Sequence, residues 1–279
     1  MRRTTTALGV VWLLSAALAA AQTPFFHPGL DRLHLPDSAL PNEQVDPASG
    51  TLTVIATDLV LPGNAGFNLS IQRVYNSAIF PNYDSGSTEP EERSWAGVGW
   101  TLHFGRIIHA DSDSAGEMAV EMGDGSRHPL YHSVNNPNIW TTADFWLYNP
   151  ATGILQLPNG QVYTFGREVY LNDQLGDVLY VTQISDPFGN ALTFTYFTAP
   201  DAPVDGLASI HQTLNAGESR DVTFTYDSTL HALASMTYLT HTWTYTQSGI
   251  GPDGDPVLVQ ARPPQGPSTD YDYGGSGLA

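Results

Sequence analysis

Along "DVTFTYD" (221–227) the apolar side chains Val222, Phe224 and Tyr226 alternate with Thr223 and Thr225. This is the two-residue period of a strand with one packed and one wet face. A helix would send Phe224 and Tyr226 to different faces, and β-branched and aromatic residues favour pleated surfaces. The same aromatic-Thr-Tyr pattern recurs as Phe194/Tyr196 in "ALTFTYF", as Trp243/Tyr245 in "HTWTYTQ" and, more loosely, as Tyr271/Tyr273 in "TDYDYG". Upstream, strands are expected in "TLTVIATDLVL", "FNLSIQRVYNS", "GWTLHFGRIIHA", "EMAVEM", "RHPLYHS", "ILQLPNGQVYTFG" and "VLYVTQISD", joined by turn-forming stretches such as "PGNAG", "GDGS", "PNG" and "DPFGN". No stretch after the first twenty residues carries a helical period. The expected fold is all-β, an extended antiparallel sheet of consecutive hairpins.

From about Val181 the hairpins become repetitive, an Ile or Met strand leading into an aromatic-Thr-Tyr strand: Ile184 precedes Phe194, Ile210 precedes Phe224 and Met236 precedes Trp243. A lone hairpin is marginal in water, so such units must pair edge to edge into one long sheet. The last stretch, ending in Tyr271 and Tyr273, reads as a further unit whose successor is absent. An uncapped array exposes an edge, so the expected partner is a C-terminal continuation or another chain that donates a β-edge. The chain divides into a leader peptide (1–21), an extended Pro-rich stretch (22–44), a β domain (45–180) and degenerate hairpin repeats (181–279).

The leader carries Arg2 and Arg3, an apolar run from Ala7 to Ala20, and Ala19 and Ala21 at the −3 and −1 places before Gln22. That is the pattern of a secretory signal peptide cut after Ala21; the run is short for a membrane span, and no later stretch is long and apolar enough. Secretion into an extracellular, periplasmic or cell-surface setting is the expectation. The chain has no cysteine, so disulfide and thiol chemistry are excluded and packing must hold the fold. With no lysine, ten arginines stand against 28 acidic residues for a net charge of −18, which disfavours nucleic acid and anionic lipid.

The stretch "VDPASGTLTVIATDLVLPGNAGFNLSIQRVYNS" (45–77), followed by "GVGWTLHF" (97–104) and "DGSRHPLY" (124–131), resembles the N-terminal domain that opens RHS and YD-repeat proteins, and "ISDPFGNALTFTYF" and "VTFTYDSTLHALASMTYL" resemble their YD repeats. Asp46, Gly50, Asp58, Pro62, Gly63, Arg73, Tyr75, Asn76, Gly97, Gly99 and Trp100 occupy that family's typical positions. The resemblance implies a sheet of many hairpins winding into a hollow shell. Full-length bacterial members enclose and release a C-terminal toxin, and other relatives act at cell surfaces. Tyr226-Asp227 retains the family's literal Tyr-Asp, and the pattern departs from it where Tyr196, Tyr245 and Tyr273 are followed by Phe197, Thr246 and Gly274.

Residues with catalytic or ligand-binding potential read mostly as structure. The acid pairs Asp111/Asp113, Asp253/Asp255 and Asp270/Asp272 could serve acid–base catalysis, but each lies in a Gly- or Pro-containing turn, where Asp bonds its own backbone. "DSDSAGE" offers Asp111 and Asp113 as weak calcium ligands without the full spacing of a calcium loop. His128 and His132, with His103 and His109, suggest zinc, yet Pro129 bars a helix that would align them. "NLS" (68–70) is a formal glycosylation acceptor inside an expected strand. Trp95, Trp100, Trp140, Trp146 and Trp243 could form a sugar platform or a core. The sequence points to a non-enzymatic scaffold without cofactor, with toxin cargo as a partner, or alternatively to a β module that binds cell-surface glycans.

Overall fold

A computed structural model describes residues 42–46, 50–79, 94–108, 118–172, 176–198, 205–214, 218–250, 255–274 and 277–278. The strands are β1 (Glu43–Val45), β2 (Leu52–Leu61), β3 (Leu69–Asn76), β4 (Trp100–Thr101), β5 (Arg106–Ile108), β6 (Ala119–Glu121), β7 (Arg127–Pro129), β8 (Tyr131–His132), β9 (Trp140–Thr141), β10 (Leu147–Asn149) and β11 (Ile154–Gln156). They continue as β12 (Val162–Asn172), β13 (Gly176–Ser185), β14 (Ala191–Tyr196), β15 (Leu207–Thr213), β16 (Ser219–Tyr226), β17 (Leu233–Tyr238), β18 (His241–Ile250), β19 (Asp255–Arg262), β20 (Thr269–Asp270), β21 (Tyr273–Gly274) and β22 (Gly277–Leu278). Among the described residues helix is limited to two single 3-10 turns, Asn64–Gly66 and Ser77–Ile79. Among the described residues no helix is long and apolar enough to cross a membrane.

The fold is all-β and built from consecutive antiparallel hairpins. Strands β1 to β4 form a four-stranded sheet in chain order, and β8 to β20 run in chain order as one meander. Strands β5, β6 and β7 complete this sixteen-stranded sheet through the pairing of β5 with β13. The run "GWTLHFGRIIHA", expected as one strand, is two: Trp100–Thr101 pairs with β3 in the small sheet, and Arg106–Ile108 pairs with β13 in the large one. Gly105, at φ 143, makes this change of sheet possible, since that backbone region is closed to residues with a Cβ.

Leu192, Phe194, Ile210, Val222, Phe224, Met236, Trp243 and Tyr245 are buried on one face of the meander, in one cluster with Val54, Leu69, Ile71, Tyr75 and Trp100 of the small sheet. The two sheets thus pack face to face, and each large apolar side chain so buried contributes about 1.5–3 kcal/mol. Hydrogen bonds cross the same interface, Gln212 Nε2 donating to the Phe67 carbonyl at 2.9 Å. On the opposite face Thr195, Ser209, Thr223, Thr237 and Thr242 lie side by side in one row across five strands, exposed or half-exposed. The period-2 pattern explains both faces.

Candidate functional site

The repeat unit has a defined geometry. Ile184, Ile210, Met236 and Ala261 stand opposite Leu192, Val222, Trp243 and Thr269. Two residues further on come Phe194, Phe224, Tyr245 and Tyr271, and two beyond these Tyr196, Tyr226, Gln247 and Tyr273. A register shift falls just before Tyr196, Tyr226 and Gln247, and such a bulge re-aims the side chain that follows it. Tyr196 Oη donates to the Val181 carbonyl at 2.7 Å, Tyr226 Oη to Leu207 at 2.9 Å and Tyr273 Oη to Leu258 at 2.6 Å. Gln247 Nε2 does the same for Leu233 at 3.3 Å. Each unit is therefore closed by a latch: Tyr196, Tyr226 and Gln247 reach from their own strand to the one before it, and Tyr273 on β21 reaches back to β19.

Trp243 and Tyr245 consequently stand two residues out of phase with Phe224 and Tyr226, although the local sequence reads alike. The turn at Leu239–Thr240, which leaves Tyr238 opposite His241, fixes the register, as short hairpin turns do. Burial drives the phenols of Tyr196, Tyr226 and Tyr273 above their ordinary range, so they remain donors. Tyr226→Phe leaves the Leu207 carbonyl without this donor, and we expect a loss of about 1–3 kcal/mol, read as a lower urea midpoint. Tyr226→Asp is expected to cost more, through lost aromatic area and a buried charge. Midpoints unchanged in both variants would remove the latch from the energetics of the fold.

The segment before β4 clamps several units at once. The Trp95 carbonyl accepts from Leu233 N at 2.7 Å, Val98 N donates to the Pro256 carbonyl at 2.7 Å, and Trp95 packs on Tyr180 with ring centroids 4.8 Å apart. Gly97, at φ 106, passes so close that a Cβ would lie 3.0 Å from Gln247 Oε1 and 3.2 Å from Leu258 N. Trp100 Nε1 then donates to Tyr273 Oη at 2.9 Å, tying the small sheet to the last latch.

Beside it, Arg73 on β3 makes a two-pronged ion pair with Asp58 on β2, Nε to Oδ2 at 2.7 Å and Nη2 to Oδ1 at 2.9 Å. The guanidinium lies 5.1 Å from the Trp100 ring and 5.0 Å from the Tyr245 ring, and Tyr245 Oη donates to Asp58 Oδ2 at 2.8 Å. Burial by itself would lower the arginine's pKa; the Asp58 carboxylate outweighs it and raises the value. This group joins four strands of two sheets, β2, β3, β4 and β18, around one desolvated charge pair.

A second buried ionic cluster centres on Glu121 of β6. Its Oε1 meets Arg106 Nη2 at 2.7 Å, Arg106 Nε at 3.0 Å and His103 Nε2 at 2.9 Å, while Oε2 takes Arg127 Nε. Burial would raise the Glu121 pKa; Arg106 and Arg127, then His103, hold it well below the usual carboxylate range.

Next to that cluster, His128 and His132 each stack on a tryptophan, Trp146 at 4.1 Å and Trp140 at 3.7 Å between centroids. His128 Nδ1 meets Asp144 Oδ2 at 2.9 Å, and its Nε2 lies 3.2 Å from Ser126 Oγ. The order Asp, His, Ser has the look of a hydrolytic triad, but Ser126 Oγ is closer to the Asp124 carboxylate, at 2.7 Å. The stronger acceptor takes the hydroxyl's one proton. His128 then has no proton to withdraw, and the serine is not an activated nucleophile.

The model of a family described as a domain of unknown function, DUF6531, matches residues 42–130, which hold the small sheet and the Glu121 cluster. No curated protein matches. Among solved structures the chain is similar to the crystal structure of TcdB2-TccC3-Cdc42, at 11% identity over 75% of this chain and 16% of that one, with a TM-score of 0.39. It is likewise similar to TcdB2-TccC3, at 10% identity over 79% of this chain and 16% of that one, TM-score 0.40. A third is the N-terminal domain of the effector protein SpvB from Salmonella typhimurium strain LT2, at 13% identity over 72% of this chain and 77% of that one, TM-score 0.31. The chain spans 16% of the length of the first two.

Of the sequence-derived candidates, the eight repeat aromatics Phe194, Tyr196, Phe224, Tyr226, Trp243, Tyr245, Tyr271 and Tyr273 all face the sheet interface or its rim. Asp111, Asp113, Asp253, His109, the leader and residues 22–41 lie outside the described residues. Among the described residues no group of three or more His, Asp or Glu is placed to hold a metal ion. Trp95, Trp100 and Trp243 are core, whereas Trp140 and Trp146 are half-buried. The Glu121 cluster had no sequence signal: its members are scattered from His103 to Arg127, and only the β5–β6–β7 pairing brings them together.

Proposed function

We propose that this chain is a secreted, non-enzymatic β-scaffold of the RHS/YD-repeat type, forming the N-terminal part of a shell or surface protein that houses or presents a C-terminal effector or mediates cell contact. The observation that carries this reading is the latch repeat: Tyr196, Tyr226, Gln247 and Tyr273 reproduce one bond geometry in successive hairpins. A unit that closes on its predecessor can be added without limit, which is what a shell wall requires. The motif order at 45–131, which resembles the family's opening domain, supports the placement at the front of such a wall. The leader's charge and small-residue pattern supports secretion with cleavage after Ala21, and the commitment of Ser126 to Asp124 supports a role without catalysis. Intact-mass measurement of the native secreted product tests the reading. A species starting at Gln22 and far heavier than 30.2 kDa is expected; a product ending at Ala279 overturns the shell.

A further inference from the structure

We propose that the cleft between β3 and the β6–β10 hairpins is a binding site for a neutral oligosaccharide. The cleft is a cavity of about 610 Å³, within the usual range for ligand pockets. Its walls come from Asn68, Ser70 and Gln72 on the small-sheet side, from Asp124, Ser126 and His128 of the β6–β7 hairpin, and from Trp146, Gln161 and Tyr163 beyond.

The chemistry of this wall selects the ligand. It offers amides and hydroxyls, which both donate and accept. No arginine lines it, the protein has no lysine and the net charge is −18; the two imidazoles on its wall, His103 and His128, each already face a carboxylate, Glu121 and Asp144, so an anion finds no unmatched positive charge. The one carboxylate, Asp124, already accepts from Ser126 N at 3.0 Å and Ser126 Oγ at 2.7 Å, so it is not a bare site for a cation. Many uncharged donors and acceptors beside an aromatic ring match a polyhydroxylated ring with one apolar face.

The aromatic element is built to stay in place. Alternation along β7 and β8 puts His128, Leu130 and His132 on one face, and each histidine stacks on a tryptophan, His128 on Trp146 and His132 on Trp140 of the neighbouring β9. Trp146 precedes β10 and is further fixed by its backbone N–H, which donates to Thr142 Oγ1 at 3.2 Å. Neighbouring side chains of the same hairpins are presented to solvent: Phe145 is 81% exposed, and Tyr131 and Leu147 stand on either side of Thr141 at 47% and 46% exposure. Alternating with His132, Trp146 and Tyr148, these side chains lie on the other face of the hairpins, outside the cleft.

The test titrates the full secreted chain with maltotriose, cellotriose and triacetylchitotriose, following tryptophan fluorescence and heat. At least one trisaccharide is expected to bind saturably. Trp146→Ala is expected to weaken it by about tenfold, the loss of one aromatic contact, while Trp140→Ala, outside the cavity, leaves affinity unchanged. If Trp146→Ala does not fold by near-UV circular dichroism, Gln72→Ala on the opposite wall carries the same expectation. Co-sedimentation with amylose, cellulose or chitin separates a site for polymer chains from one for free oligosaccharides, and either supports the proposal. Absence of binding to all three sugars and their polymers, affinity unchanged in the cavity variants, or displacement of the sugar by spermidine would overturn it.

Discussion

Glu121→Ala is expected to destabilise the protein by about 3–5 kcal/mol or to prevent folding, the cost of leaving buried charge unpaired. Arg106 is 1% exposed and meets this carboxylate through both Nε and Nη2, and Arg127 and His103 converge on it as well. Removing the acid strands at least one guanidinium in the core; Tyr180 Oη, 3.2 Å from Arg106 Nη1, cannot neutralise it. The same residue sets an acid limit. Because the folded pKa of Glu121 lies well below the ordinary value, its contribution is complete above the unfolded carboxylate value of about 4.3. It is lost as pH falls through the folded value, where the proton must be taken up. Urea midpoints measured from pH 7 downward should therefore hold until about pH 4.3 and then fall. Glu121→Gln, which keeps the shape without the charge, should be weaker at pH 7 and show a shallower acid slope. Equal slopes in the two proteins would exclude Glu121 as the titrating group.

The sequence made the hairpin meander legible because each strand has one wet face, so alternation alone assigns Phe224 inward and Thr223 outward. It also marked Asp58, Arg73, Gly97 and Trp100 as positions of interest, though without a role. Their role lies in contacts between residues far apart in the chain, such as Trp100 with Tyr273 and Tyr245 with Asp58, and no local period encodes such contacts. The phase of the third unit was misleading for a related reason. "WTY" at 243–245 repeats the letters of "FTY" at 224–226, but register is set by the turn at Leu239–Thr240 and by the strand opposite. Gln247 then takes the latch place of a tyrosine by offering an amide donor at the same height. The histidines resolved differently: Pro129 argued against a helical pair, and His128 on β7 and His132 on β8 each stack on a tryptophan.

Asp58→Ala is the second substitution expected to cost about 3–5 kcal/mol, for it leaves Arg73, 2% exposed, without a counter-ion. The surrounding rings soften this only in part, a desolvated cation–π contact being worth about 2 kcal/mol. The double variant Asp58→Leu/Arg73→Met replaces the pair with apolar groups of similar reach and should recover most of the loss, since buried ion pairs are often matched by well-packed hydrophobic residues. The cycle also asks whether the node holds the two sheets together or merely fills the space between them. Tyr245 Oη donates to Asp58 from the long sheet, so Tyr245→Phe should couple to Asp58→Ala and not to Tyr226→Phe, whose latch lies within the long sheet. Additivity of Tyr245→Phe with both would mean that the Tyr245–Asp58 bond does not couple the sheets and that the ion pair is a private matter of the small sheet.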